Sequence, residues 1–132
     1  MKNKSNLDLI YICNVYGPTH YREKMYFWDS LLSLNVELHG KDIIIAGDFN
    51  TTKSSLEKRG GSIIRDPFDE KLEDLLAELD LLDPMPKNGK YTWSNKRVGP
   101  EHIAARLDRF LVSTTFIQKD FLPSTHYFFS HF

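Results

Sequence analysis

Apolar residues along the chain change their spacing from segment to segment. "LDLIYICNVY", Leu7 to Tyr16, is β-branched, aromatic and almost continuously apolar, which predicts a buried strand ended by Gly17-Pro18-Thr19. In "YREKMYFWDSLLSLNVEL" the period lengthens. Met25, Trp28 and Leu32, with Phe27, Leu31 and Leu34, recur at three and four, the stripe of an amphipathic helix stopped by Gly40. Ile43 to Ala46 predicts a second strand, apolar on both faces as in the middle of a covered sheet, and "TTKSSLEKRGGS" predicts a loop. Asp66-Pro67 is a helix start, an N-cap carboxylate with proline in the first turn, followed by the stripe Phe68, Leu72, Leu75, Leu76 and Leu79. "YTWSN" and "IAARLDRFLVS" read as two strands joined by "KRVGPEH" in a long hairpin. Ser113 then caps a short helix through Phe121, and "THYFF" is a last strand. This order implies one layered α/β (α+β) domain over residues 1–132, without repeats or linkers.

Composition narrows the picture. An apolar fraction of 41% supports a modest core, and 13% aromatic residues argues against disorder. The net charge of −1 points to no bulk attraction for nucleic acid or membrane, but the charges are unevenly placed. Asp66 to Asp83 carries eight acids against one base, the solvated face of a helix. Lys87 to Arg109 carries six bases against two acids in loop-like sequence that can meet phosphates. The single cysteine, Cys13, lies in an apolar run, so no disulfide framework exists and a reducing, intracellular setting is expected. No apolar stretch approaches the roughly 18 residues that span a bilayer, and no membrane partner is expected.

The second strand runs into "GDFN", and this stretch carries the candidate chemistry. In extended backbone, residues i and i+2 share a face, so Asp48 and Asn50 are expected side by side with Phe49 turned into the core. Gly47 leaves room for close approach by a ligand or by backbone. A carboxylate that accepts a proton from water, beside a carboxamide that orients that water or donates to a phosphate oxygen, suits attack on a phosphodiester. The alternative is that Asp and Asn are turn residues after a strand.

"NVYGPT", "GDFNT", "YTWSN" and "RLDRFLVS", in this order and at these intervals, resemble the endonuclease/exonuclease/phosphatase superfamily, and the wording is most similar to the endonuclease domain of plant LINE-type retrotransposons. The resemblance covers nearly the whole chain but about the second half of such a domain. It implies a partial four-layer α/β sandwich of the deoxyribonuclease-I-like type, with the N-terminal half missing. It further implies that Asp48 activates the attacking water, that Asn50 positions water and phosphate, and that both touch a second metal. Tyr16 would donate to the scissile phosphate, and Asp108 would hold a histidine in the correct tautomer. The hairpin, about Thr92 to Arg106, would lie in a DNA groove with Lys96, Arg97 and Arg106 near the backbone. The implied cofactor is Mg2+ or Mn2+, the partner DNA, and the location nucleus or cytoplasm.

The residues leave alternatives beside these roles. Asp108 shares a face with Phe110 and Val112, where a carboxylate is costly unless paired, and a neighbouring arginine is the simplest partner. Tyr16 is either a phosphate donor or a strand-end tyrosine with its hydroxyl in water. Trp93 is either core or a base-stacking platform. The family's metal-holding glutamate and its final "Ser-Asp-His" have no counterpart, and His131 lacks a preceding aspartate. The expectation is therefore a clipped or degenerate hydrolase, nearly inert in isolation, whose uncovered sheet face favours self-association. Two other readings stand: a phosphoinositide or sphingolipid phosphohydrolase of the same superfamily, and a non-catalytic DNA- or protein-binding remnant.

Overall fold

Strand β1 (Leu9–Tyr16), helix α1 (Tyr21–Ser33) and strand β2 (Asp42–Asp48) form a parallel β–α–β unit in the computed structural model. The structure describes residues 9–61, 66–84, 91–118 and 126–131. β1 and β2 pair from Ile10 opposite Asp42 to Tyr16 opposite Asp48. Their length and β-branched content favour strand, and a parallel pair needs the helical crossover that the three-and-four spacing supplies.

The helix buries Phe27, Trp28 and Leu31, while Met25 is 45% exposed. Lys24, one turn before Trp28, takes the half-buried place instead. Of the expected stripe only Met25 falls outside, since Leu32 and Leu34 also pack against the core. A single further turn, α2 (Asn35–Leu38), precedes Gly40, whose φ of +79° suits glycine.

Helix α3 (Asp69–Glu78) buries Leu72 and Leu75, with Phe68 and Leu79 at its ends. Asp66 does not cap it directly. Its carboxylate accepts the amides of Phe68 (2.9 Å) and Thr52 (3.1 Å), forming a turn before the helix and holding the segment after β2. After α3 come β4 (Leu81–Leu82), β5 (Trp93–Ser94), β6 (Ala104–Ala105) and β7 (Asp108–Ser113). The segment "TTKSSLEKRGGS" is more than a loop, since a 3-10 turn at Ser55–Glu57 leads into β3 (Lys58–Arg59). "IAARLDRFLVS" also divides: β6 belongs to a three-stranded sheet, β3-β6-β5, and β7 to a five-stranded one, β4-β7-β2-β1 followed by a last strand. Strand β8 (His126–His131) runs parallel to β1. Ser113 does not cap the following turn, α4 (Thr114–Ile117); its Oγ accepts the amide of Ile43 at 2.9 Å. The expected continuation to Phe121 lies outside the described residues.

Alternation then sorts the large sheet into two faces. Cys13 and Val15 of β1, Ile43 and Ile45 of β2 and Leu111 of β7 meet α1 and α3 in one core. Phe49 seals its end, fully buried and stacked on Trp28 with ring centroids 6.0 Å apart. The opposite face carries Tyr16 and Phe110, which are 79% and 52% exposed, and half-buried Ile44, Ala46 and Asp48. β2 is therefore covered on one face, where its sequence predicted two.

Candidate functional site

Sheet register builds the site. Tyr16 of β1 pairs with Asp48 of β2, and Asp48 pairs with Asp108 of β7. Residues paired in register project to the same side, so these three form one row across neighbouring strands at the edge of the open face. Burial and the nearby Asp108 carboxylate push the Asp48 carboxyl above its usual range, against the opposing pull of the Asn50 amide and the Lys24 ammonium.

Asn50 joins the row by a different route from simple alternation. Its φ is +49°, in the left-handed region that asparagine tolerates, so the chain turns sharply after β2. The Asn50 amide donates to Asp48 Oδ1 at 2.8 Å, and the Asn50 Nδ2 donates to the Gly17 carbonyl. Gly17 in turn donates its amide to the Asp48 carbonyl, and Phe49 donates its amide to the Leu107 carbonyl at 2.8 Å. The ends of β1, β2 and β7 are thus laced together around the row. The turn reading of "GDFN" and the paired-side-chain reading are both present in one structure. One Nδ2 hydrogen is committed to Gly17 and a second is left for a ligand.

Gly47 is explained by backbone. Its φ is +133°, and a Cβ there would lie 2.1 Å from the Val15 carbonyl oxygen. The close approach is to β1 rather than to a ligand.

Lys24 was not singled out by the sequence, and the structure brings it against this constellation. Its ammonium donates to the Asn50 carbonyl at 2.5 Å and lies 5.2 Å from the Phe68 ring centroid. Burial lowers its pKa, with Asp66 and Asp48 acting the other way. Nothing in the helix pattern marks it beyond its position one turn before a buried tryptophan.

Two expected placements are corrected. Arg106 does not lie along a groove-facing hairpin: it is 2% exposed, bonded to Glu57 Oε2 at 3.2 Å and Asp83 Oδ1 at 2.8 Å. It enters a buried cluster because β6 and β7 belong to different sheets and it stands at the crossing. Asp108 is not on a covered apolar face needing an arginine partner. It is exposed, and Arg109 points to the opposite side, 4% exposed and bound to Glu57 and Asp83.

The remaining hairpin candidates are at the surface. Trp93 is 44% exposed, which removes the core reading. Lys96 and Arg97 are exposed at the tip, where Arg97 and Glu101 approach to 3.7 Å. Asn95 shapes the tip by accepting the amides of Arg97 and Ile103, each at 3.1 Å. The hairpin is tied to the row through Thr92, whose hydroxyl accepts the amides of Leu107 (2.9 Å) and Asp108 (3.0 Å).

The donors around the row are hard oxygens, which suit magnesium or manganese. Among the described residues no group of three or more His, Cys, Asp or Glu gathers in a metal-holding arrangement. Asp48 and Asn50 would supply only part of an oxygen shell, with water completing it, a pattern common for magnesium.

A sequence model of the Endonuclease/Exonuclease/phosphatase family matches residues 4–127. No curated protein matches the sequence.

Proposed function

Because the chain belongs to the endonuclease/exonuclease/phosphatase family, a superfamily of phosphodiester hydrolases, we propose that it carries the water-activating part of a metal-dependent DNA endonuclease of retroelement type. The observation that carries this reading is the in-register row Tyr16–Asp48–Asp108 with Asn50 folded against it.

Asp48 acts as the base. A carboxylate held above its ordinary pKa is a better proton acceptor. Asn50 presents its carboxamide to the water and the phosphate, and Tyr16, largely exposed at the rim, donates its hydroxyl to a non-bridging oxygen. Asp108 stands beside Asp48 on the same face and would hold a histidine in the correct tautomer. A bound magnesium or manganese ion, held through Asp48 and Asn50, would supply charge neutralisation at the phosphate. Lys96 and Arg97 at the hairpin tip, with Trp93 on its flank, offer charge and a stacking surface to DNA.

The test is nicking of supercoiled plasmid in magnesium. Nicking by the wild-type protein is slow, since the metal-holding glutamate and the Ser-Asp-His element have no counterpart, and Asp48→Ala lowers that residual rate by about 10²–10⁴-fold, the usual contribution of a general base. Nicking that survives Asp48→Ala overturns the assignment. Clean protein that binds DNA but does not nick it returns the chain to the binding-remnant reading.

A further inference from the structure

Helix α1 grips the turn after β2 at two successive residues. Trp28 is fully buried and stacks on Phe49, with ring centroids 6.0 Å apart. One turn earlier on the same helix face, Lys24 donates its ammonium to the Asn50 carbonyl at 2.5 Å. The helix thus holds the side chain of one turn residue and the backbone of the next. Asn50 is where the chain leaves extended geometry, at a φ of +49°. A non-glycine residue persists in that region when its surroundings over-determine it. Its amide is fixed to Asp48 Oδ1 and its Nδ2 to the Gly17 carbonyl, and Lys24 fixes its own carbonyl.

We propose that Lys24 is a positioning residue, which clamps the left-handed turn at Asn50 and so holds the Asn50 carboxamide beside Asp48. This role rests on the reading of Asp48 and Asn50 as the water-activating pair, and it adds the group that sets their mutual placement. The clamp is itself held from the far side. The Lys24 ammonium lies 5.2 Å from the Phe68 ring centroid, and the carboxylates of Asp66 and Asp48 favour its charge against the cost of burial. Asp66 in turn accepts the amides of Phe68 and Thr52, so the turn before α3 and the segment after Asn50 close around the same cation. A hydrogen bond from an ionised donor is about twice as strong as a neutral one, which suits a carbonyl that must stay in a costly conformation. A methionine of similar length fills the same space and offers no donor.

The experiment is amide hydrogen exchange followed by NMR on the whole chain, free of DNA and metal, for wild type, Lys24→Met and Lys24→Arg. In Lys24→Met the amides of Asn50 and Gly17 exchange about 10–100-fold faster, the scale of one lost hydrogen bond to a charged group. Amides in the middle of β2 keep their wild-type rates, which separates a loosened turn from a destabilised fold. Lys24→Arg, which restores a charged donor, recovers most of the protection. In the plasmid assay Lys24→Met lowers the residual nicking rate at saturating plasmid about tenfold, and the plasmid concentration that gives half the maximal rate is unchanged. Unchanged exchange at Asn50 in Lys24→Met overturns the role, as does faster exchange spread equally through β2. An arginine variant that exchanges as fast as the methionine variant assigns the effect to packing and overturns it too. A raised half-maximal plasmid concentration with unaltered exchange makes Lys24 a phosphate contact instead. Because exchange is read without substrate, the clamp can fail there alone, whereas nicking that survives Asp48→Ala sinks the endonuclease reading and leaves the exchange result standing.

Discussion

Replacing Glu57 tests how the two sheets are held together. This residue is 3% exposed, and its carboxylate accepts from Arg106 Nη1 at 3.2 Å, Arg109 Nη1 at 3.0 Å, Arg109 Nη2, and the Lys53 amide at 2.6 Å. Asp83 accepts from the same two guanidiniums, at 2.8 and 2.7 Å. Two buried cations are thus balanced by two buried anions. Glu57→Gln preserves shape but leaves two guanidiniums facing one carboxylate. Removing one partner of a buried pair typically costs about 3–5 kcal/mol, because the other charge stays desolvated. Against a domain stability of about 5–15 kcal/mol this is a large fraction. With a urea slope of about 2 kcal/mol per molar, a loss of about 4 kcal/mol lowers the unfolding midpoint by about 2 M. The readout is urea unfolding followed by circular dichroism and by fluorescence of Trp28, which is fully buried.

The same carboxylate sets a pH signature. Burial alone would raise the Glu57 pKa, but the hydrogen bonds from Arg109 and Lys53 and the charges of Arg109 and Arg106 outweigh it, so the folded value lies below the ordinary 4.5. A depressed carboxyl pKa contributes stability that is complete above the unfolded value and is lost as pH falls through the folded one. The gap between wild type and Glu57→Gln is therefore full at pH 7 and shrinks progressively below about 4.5. Arg97→Ala is the comparison. Its 3.7 Å pair with Glu101 is 67% and 74% exposed, so it costs at most about 0.5 kcal/mol. A midpoint shift for Glu57→Gln below about 0.5 M, or a gap that persists unchanged into acid, refutes the balanced-cluster account.

Three further outcomes follow from particular residues. Gly47→Ala places a methyl 2.1 Å from the Val15 carbonyl at a φ of +133°, so it costs more than about 4 kcal/mol; a melting temperature within about 2 °C of wild type contradicts this. Cys13 is buried, and that burial pushes its thiol up to about 11, so the folded protein resists iodoacetamide at pH 8 while urea-unfolded protein reacts; rapid labelling under native conditions counts against the core placement. The open sheet face, with Tyr16 and Phe110, favours association of copies, so the wild-type sedimentation coefficient rises with concentration and Phe110→Lys suppresses the rise; equal behaviour of the two proteins removes that face as the contact.

The parts legible in the sequence are those governed by local spacing. The stripe Phe68, Leu72, Leu75, Leu79 lies in the core, and the apolar runs ending at Tyr16 and Asp48 are strands. Local spacing also paired the two halves of the hairpin. It did not show that the second half changes sheets, because Arg106 at the crossing looks like any other base in a basic segment. The partners that draw Arg106 inward were read as other things: Glu57 as part of a polar loop and Asp83 as the end of a solvated acidic helix. A buried ion cluster is assembled from residues far apart in the chain, and no periodicity announces it. Asp108 fails in another way. Its face-mates Phe110 and Val112 were identified correctly by alternation, but alternation cannot say which face the rest of the molecule covers.

Asn50 shows how a local rule can place two side chains together for a different reason. Alternation puts residues i and i+2 on one side only while the backbone stays extended, and at Asn50 it has turned left-handed. What keeps Asn50 beside Asp48 is the hydrogen bond from its amide to Asp48 Oδ1, together with the Nδ2 bond to Gly17 that reaches across to β1. This changes the chemistry assigned to the pair. With Oδ1 engaged by the turn, the proposed base would take the proton of an incoming water on Oδ2. The turn is held from behind by the ion cluster: Arg109 Nη2 donates to the Thr51 carbonyl at 3.3 Å and Glu57 Oε1 receives the Lys53 amide, so the segment leaving Asn50 is gripped on both sides. Apolar side chains of similar size would fill that space at equal or lower free energy, but they offer no hydrogen bond to the buried Thr51 carbonyl or to the Lys53 amide of the turning chain. The buried charges are thus suited to fixing the backbone after Asn50, and through it the placement of Asn50 beside Asp48.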